Sequence, residues 1–124
     1  MQIRKSVVLV VEDQILIRMG AVDLVVAAGY EALEASNADE AIAILESRSD
    51  IQLVFTDVRT PGSMDGIKLA HYIRNRWPPV RLIVASGQAI MQESSLPEGS
   101  RFFSKPYHEG KIVEAMMHLL ADAA

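Results

Sequence analysis

The sequence predicts an open parallel β-sheet covered by helices on both faces, and three observations predict it. Apolar strand-like runs and helical patterns alternate five times along 124 residues, the order that builds right-handed βαβ units. Val7-Val8-Leu9-Val10-Val11, Leu53-Val54-Phe55-Thr56 and Leu82-Ile83-Val84-Ala85 are continuous rather than alternating, as strands buried on both faces are. Each run stops at a polar group. Glu12 and Asp13 follow the first, Asp57 the second and Ser86 the third, while Lys105 follows Phe102-Phe103-Ser104. The carboxyl edge of a parallel sheet is where such folds gather their chemistry.

Taken in order, Ser6 to Val11 reads as the first strand, and Asp13 or Gln14 opens a helix that runs to Ala28 and stops at Gly29. Tyr30 to Ala35 is a short second strand. Asn37-Ala38-Asp39-Glu40 has the form of a capping box, after which Ala38, Ala41, Ile42 and Leu45 share one helical face ending near Ser47. Leu53 to Asp57 is the third strand, followed by a loop from Val58 to Asp65. Ile67, Leu69, Ala70 and Ile73 then mark a helix that Trp77-Pro78-Pro79 ends, before the fourth strand, Arg81 to Ser86. Ala89 to Glu93 has room for a turn or two of helix, broken by Ser94-Ser95 and Pro97-Glu98-Gly99-Ser100. Arg101 to Ser104 is a brief fifth strand. The last helix runs from about His108 to Asp122, with Ile112, Val113, Met116, Leu119 and Leu120 as its apolar side. A site shared by strands one, three, four and five fits the strand order 2-1-3-4-5, a flavodoxin-like (βα)5 three-layer sandwich. Its switch point lies between strands one and three and sets Glu12 and Asp13 beside Asp57.

Half of the residues are hydrophobic, enough for the core of one domain, so residues 1–124 are expected to form a single unit without an output domain. A net charge of −4 provides no basic footprint, which argues against direct nucleic-acid binding. The chain contains no cysteine, no apolar run long enough to span a membrane and no signal-peptide pattern at Met1-Gln2-Ile3-Arg4-Lys5. Thiol catalysis and cysteine-bound zinc are thereby removed, and a reducing cytoplasm is the expected setting.

Carboxylates crowded into a small space repel one another, and a hard divalent cation with oxygen ligands relieves the repulsion, which points to Mg2+. A carboxylate beside such an ion can attack phosphorus, because the metal and a nearby ammonium neutralise the transferring oxygens. Asp57 is the candidate nucleophile, Lys105 the ammonium and Ser86 a hydroxyl for a phosphoryl oxygen, with Gly87 leaving room beside it. Taken singly, each group has an ordinary structural role: helix caps for Glu12-Asp13 and Ser86, turn amides for Asp57, a solvated strand end for Lys105. Their delivery by four strands to one edge argues for a joint role.

These residues, with Pro61, Asp65-Gly66, Ser86-Gly87 and Lys105-Pro106, resemble a response-regulator receiver domain of two-component signalling over essentially the full chain. The resemblance implies that Asp57 takes a phosphoryl group from a sensor histidine kinase or histidine phosphotransfer protein. It implies Mg2+ held by Asp13, Asp57 and the backbone carbonyl of Arg59, with Glu12 acting through water. Ser86 and Lys105 would bind the phosphoryl oxygens, the Lys105-Pro106 peptide would be cis, and Phe102 would stand at the switch aromatic. It further implies a signalling switch whose only chemistry is its own phosphorylation and dephosphorylation, acting on a downstream protein or a fused output domain, with a phosphorylation-dependent dimer as an additional arrangement. Two positions depart from the family pattern. Thr60 stands where methionine is common, and Pro61-Gly62-Ser63-Met64-Asp65-Gly66 is one residue longer than usual. Two other classes fit less well. A haloacid-dehalogenase-type phosphatase wants a second acid where Arg59 stands, and a flavodoxin-like cofactor site wants hydroxyls or glycines where Val11-Glu12-Asp13-Gln14 would repel phosphate.

The first helix carries a second expectation. Ile17, Gly20, Ala21, Leu24, Val25 and Ala28 form the stripe expected to pack on the sheet. Ile15, Met19, Val22 and Val26 form another apolar stripe at spacings of four, three and four. Ile15, Met19 and Val22 are therefore expected in an exposed patch that binds the helical bundle of the phosphoryl donor or a second copy of the chain.

Overall fold

In a computed structural model, residues 5–59, 64–87 and 95–121 are described. Along the chain run β1 (Val7–Val11), α1 (Ile15–Ala27), β2 (Glu31–Ala35), α2 (Ala38–Ser47), β3 (Ile51–Asp57), α3 (Gly66–Arg76), β4 (Arg81–Ser86), β5 (Arg101–Ser104) and α4 (Glu109–Leu120). The strands form one parallel sheet in the order β2-β1-β3-β4-β5, as expected. The helix expected at Ala89 to Glu93 lies outside the described residues, as do residues 60–63 of the long loop.

Alternation along the inner strands divides the core in two. Val7, Leu9, Val11, Val54, Leu82 and Val84 face α2 and α3, where Ala41, Leu45, Leu69, Ala70 and Ile73 cover them. Val8, Val10, Leu53, Phe55, Ile83 and Ala85 face α1 and α4, under Ala21, Val25, Ile112, Ala115 and Met116. All five residues of β1 are buried, whereas β2 and β5, at the edges, are buried only in part. This is why the central strands read as unbroken apolar runs and the edges do not.

The start of β3 and the cap of α2 depart from the expectation for local reasons. β3 begins at Ile51, two residues before the expected start, because Ile51 pairs with Val7 across an irregular step in the ladder and polar Gln52 is carried along. Glu40 does reach back from the first turn of α2, but to Ser36 rather than to Asn37. It accepts from the Ser36 N–H and Oγ–H at 2.8 Å each, while Asn37 Oδ1 accepts from Glu40 N at 2.8 Å.

The Ser36 backbone bond, then its hydroxyl, hold the Glu40 carboxyl below its ordinary range. A depressed folded pKa contributes stability that is present above the unfolded value and lost as pH falls through the folded one. Glu40→Gln is therefore expected to unfold at lower denaturant than the parent chain at neutral pH, with the gap closing in acid. A gap that persisted unchanged through the carboxylate range would discount the bond.

α1 corrects the expected packing stripe. Ala21 and Val25 are buried and Leu24 and Ala28 half-buried, but Ile17 and Gly20 are exposed. Val22, expected outside, is half-buried against the core on the α1 and α4 side. It lies only about 60° around the helix from Val25, close enough for its methyls to reach the same cluster.

Candidate functional site

The carboxyl ends of β1, β3, β4 and β5 bring the expected residues to one edge. Glu12, directly after β1, is 4% exposed, and its N–H donates to the Ala35 carbonyl at the end of β2 (3.0 Å). Asp13 projects into solvent, Asp57 is half-buried at the last position of β3, and Arg59 is exposed two residues on. Oxygens of Glu12, Asp13 and Asp57 lie within 4.8 Å of one another. Ser86 is buried at the end of β4, one residue past Ala85, which pairs with Asp57. Its carbonyl accepts from the Lys105 N–H at 2.8 Å, extending the β4 and β5 pairing to the lysine.

Lys105 spans the acids. Its Nζ lies 3.1 Å from Glu12 Oε1 and 3.4 Å from Asp57 Oδ2, and the Lys105-Pro106 peptide is cis. Burial pulls the lysine down, but the Glu12 hydrogen bond and the charges of Asp57 and Glu12 outweigh it and leave the ammonium above its ordinary value. Burial pushes the Glu12 carboxyl up, against the opposing hydrogen bonds from Gln14 N and Lys105. The ammonium is thus held in place by two carboxylates.

The loop after β3 is pinned at both ends. Val58 N–H donates to the Ala85 carbonyl (2.9 Å), and Gly66 N–H donates to the Val58 carbonyl (2.8 Å). Asp65 caps α3 by accepting from Lys68 N at 2.9 Å. A Cβ on Gly66 would collide with the Asp57 carbonyl oxygen and stand 2.8 Å from Val58 Cα, so this position needs glycine for close backbone approach. Gly87, beside Ser86, has open space around it: a Cβ there would meet nothing within 4 Å among the described residues.

Phe102 is half-buried against the core on the α2 and α3 side, with its neighbour Phe103 on the opposite side. Three features of the site escaped sequence reasoning. Tyr107 packs its ring 5.8 Å from Phe55 and lines a cavity of about 10 Å3 with Glu12, Asp57 and Lys105, its phenol raised by burial. Arg18 donates to the Glu12 carbonyl at 2.9 Å. Leu16 is the most exposed large hydrophobic side chain among the described residues, at 79%. Only the position of Tyr107, two residues past Lys105, offered a signal. A wider cleft of about 490 Å3, lined by Arg48, Arg76 and Trp77, lies at the opposite, amino-terminal edge of the sheet, far from the carboxylates.

The arrangement defines a class: a doubly wound α/β domain with an acidic pocket, bridged by one lysine, at its switch point. The chain belongs to the response regulator receiver domain family, whose model matches residues 8–117. It is therefore a receiver domain of two-component signalling, a phosphoacceptor signalling module.

The chain is 31% identical over 119 residues to the sensor kinase CckA of Brucella abortus (strain 2308), covering 93% of this chain and 12% of that protein. It is 32% identical over 110 residues to the response regulator protein FleR of Pseudomonas aeruginosa, covering 86% of this chain and 23% of that protein. The chain thus spans under a quarter of either relative. Among solved structures, the receiver domain of hybrid histidine kinase CckA superposes with a TM-score of 0.77 at 31% identity, covering 92% of this chain and 98% of that one. A response regulator receiver protein from Sinorhizobium medicae WSM419 shares the fold with a TM-score of 0.88 at 24% identity, covering 97% of this chain and 98% of that one. Among the described residues, no helix is long and apolar enough to cross a membrane.

Proposed function

We propose that Asp57 is the phosphoryl acceptor of this receiver domain, and that Mg2+ assists it. The carrying observation is the convergence of Glu12, Asp13 and Asp57 oxygens within 4.8 Å, with the Lys105 ammonium 3.4 Å from Asp57. All-oxygen, anionic donors suit a hard cation. Asp13 and Asp57 would hold it with the Arg59 carbonyl, and Glu12 would act through water. The bound ion supplies positive charge against the phosphoryl oxygens.

An Asp57 oxygen attacks phosphorus as the bond to the donor histidine nitrogen breaks, leaving an acyl phosphate and a histidine that regains its proton. Lys105 leaves its carboxylate partners for a phosphoryl oxygen, and the Ser86 hydroxyl takes another. Phe102 then rotates as β4 and β5 adjust, altering the surface read by a downstream protein or by an output domain. Later attack of water returns Asp57 and phosphate. Residues 1–124 are read here as one receiver module, in the cytoplasm where a histidine donor charged from ATP is available. Incubation with Mg2+ and acetyl phosphate or beryllofluoride, followed by mapping of shifted backbone amides, is expected to move residues around Asp57, Ser86 and Lys105. Absence of any Mg2+-dependent uptake by the folded chain would overturn the reading.

Arg59 is exposed two residues beyond Asp57, where it would flank the route by which water reaches the acyl phosphate. Its long cationic side chain can cover the phosphoryl group, so Arg59→Ala is expected to shorten the phosphorylated lifetime several-fold. An unchanged lifetime in a dephosphorylation time course would make Arg59 an ordinary surface residue.

The donor's helical bundle is read as docking on α1. Ile15 and Met19 are 61% and 53% exposed, with Leu16 beside them, and Asp23 is the one charged group on this outer face. Val22, half-buried, drops from the centre of the patch to its margin, and Leu16 takes its place. Met19→Glu is expected to slow phosphorylation by the histidine donor while leaving acetyl phosphate uptake intact. Equal rates from the protein donor would remove α1 from the docking face, and loss of dimerisation alone would assign it to a second copy of the chain.

A further inference from the structure

Arg18 occupies a junction between α1, β1 and β2. Its Nε donates to Glu34 Oε1 at 3.0 Å, and its Nη1 donates to the backbone carbonyl of Glu12 at 2.9 Å. The arginine side chain is only 17% exposed, against 50% for Glu34. Pairing of β1 with both neighbours ends at Val11, so no ladder bond holds the peptide between Glu12 and Asp13. The preceding peptide is fixed by the bond from Glu12 N–H to the Ala35 carbonyl. Arg18 fixes the next one, and Asp13 hangs directly from it.

We propose that Arg18, oriented by Glu34, is a positioning residue for divalent-cation binding: by gripping the Glu12 carbonyl it sets where the Asp13 carboxylate stands relative to Asp57. The inference rests on the acidic pocket being the cation site, as read above. An exposed ion pair alone contributes little and has no reason to affect the metal. What distinguishes Arg18 is the second arm of its planar fork, which reaches the main chain one residue from a candidate ligand. Supports of this kind commonly tune metal affinity without touching the ion. Glu34 both aims the guanidinium and matches its charge, so the clamp sits near a cation site with little net repulsion.

The test is calorimetric titration of the full chain with Mg2+ alone, beside thermal unfolding, for the parent, Arg18→Gln, Arg18→Lys and Glu34→Gln. Arg18→Gln is expected to bind Mg2+ about tenfold more weakly, with its unfolding midpoint nearly unchanged. Arg18→Lys keeps the charge but loses the fork, and is expected to remain several-fold weaker than the parent. Glu34→Gln is expected between the two. The Mg2+ concentration for half-maximal acetyl phosphate labelling should rise in parallel, with labelling at saturating Mg2+ preserved. Parental or tighter Mg2+ affinity in Arg18→Gln overturns the inference, and so does full affinity in Arg18→Lys, which would leave charge rather than geometry as the cause. A drop in unfolding midpoint with affinity untouched makes the pair structural only and also overturns it. Should Arg18→Gln fail to fold, the Lys and Glu34 variants carry the same comparison. A parent chain that binds no Mg2+ removes the cation-site reading itself, an outcome distinct from variants that match a binding parent.

Discussion

Asp57→Asn is expected to abolish phosphoryl uptake while the chain stays folded. The amide nearly matches the carboxylate in shape but cannot serve as the attacking anion, and among the described residues neither neighbouring acid is placed to substitute: Asp13 is turned to solvent and Glu12 is buried with Lys105 at 3.1 Å. The structural consequence should be slight. Lys105 loses its 3.4 Å contact with Asp57 but keeps Glu12, and one of three mutually repelling carboxylates becomes neutral. Intact-mass analysis after acetyl phosphate and Mg2+ should show no added phosphoryl group, with circular dichroism and the unfolding midpoint close to the parent. Undiminished labelling of Asp57→Asn would remove the central claim, and an unfolded variant would assign the residue a structural role that the geometry does not indicate.

Gly66→Ala should be the most damaging single-methyl change near the site. The added carbon meets the Asp57 carbonyl and Val58 Cα, both backbone, where no side chain can swing aside. Relief requires moving the start of α3 away from β3, which strains the 2.8 Å bond between Gly66 and Val58 and shifts the segment that carries Asp57 and the Arg59 carbonyl. Overpacking of this kind costs about 1–3 kcal/mol. Phosphoryl uptake should fall together with stability, and the Mg2+ requirement should rise. Gly20→Ala is the natural control, because a Cβ there meets nothing within 4 Å on an exposed turn of α1. It should stabilise the chain by about 0.5–1 kcal/mol through helix propensity alone. Urea unfolding of the two variants checks the contrast, and equal stability for Gly66→Ala and the parent would show that α3 yields freely.

Most of the fold was legible because it depends on which residues can be buried on two faces at once. The runs at Val7 to Val11, Leu53 to Thr56 and Leu82 to Ala85 read as central strands, and their polar ends are Glu12, Asp13, Asp57 and Ser86. Lys105 was legible for the same reason, as the first charged residue beyond the fifth strand. Parallel topology turned those separate endings into one edge.

The local sequence could not show how the helices meet what lies beside them. Helical spacing alone placed Val22 outside and Ile17 inside, whereas the structure reverses their relative burial. Spacing gives the direction of a side chain but not how far the neighbouring element extends, and Ile17 stands where α1 has reached the edge of the sheet. Tyr107, whose ring rests on Phe55, and the requirement for glycine at position 66 depend on contacts across the fold. Arg18 stands between Ile17 and Met19 in the first helix, with no local feature to mark a role. Only the tertiary structure gave it Glu34 from β2 and the carbonyl of Glu12, the residue after β1, sixteen and six residues away in sequence. The sequence by itself determined which residues share the sheet edge, because burial and strand period act along the chain. Their spacing was left to the tertiary structure, because the peptide groups that hold them find partners on different strands and helices.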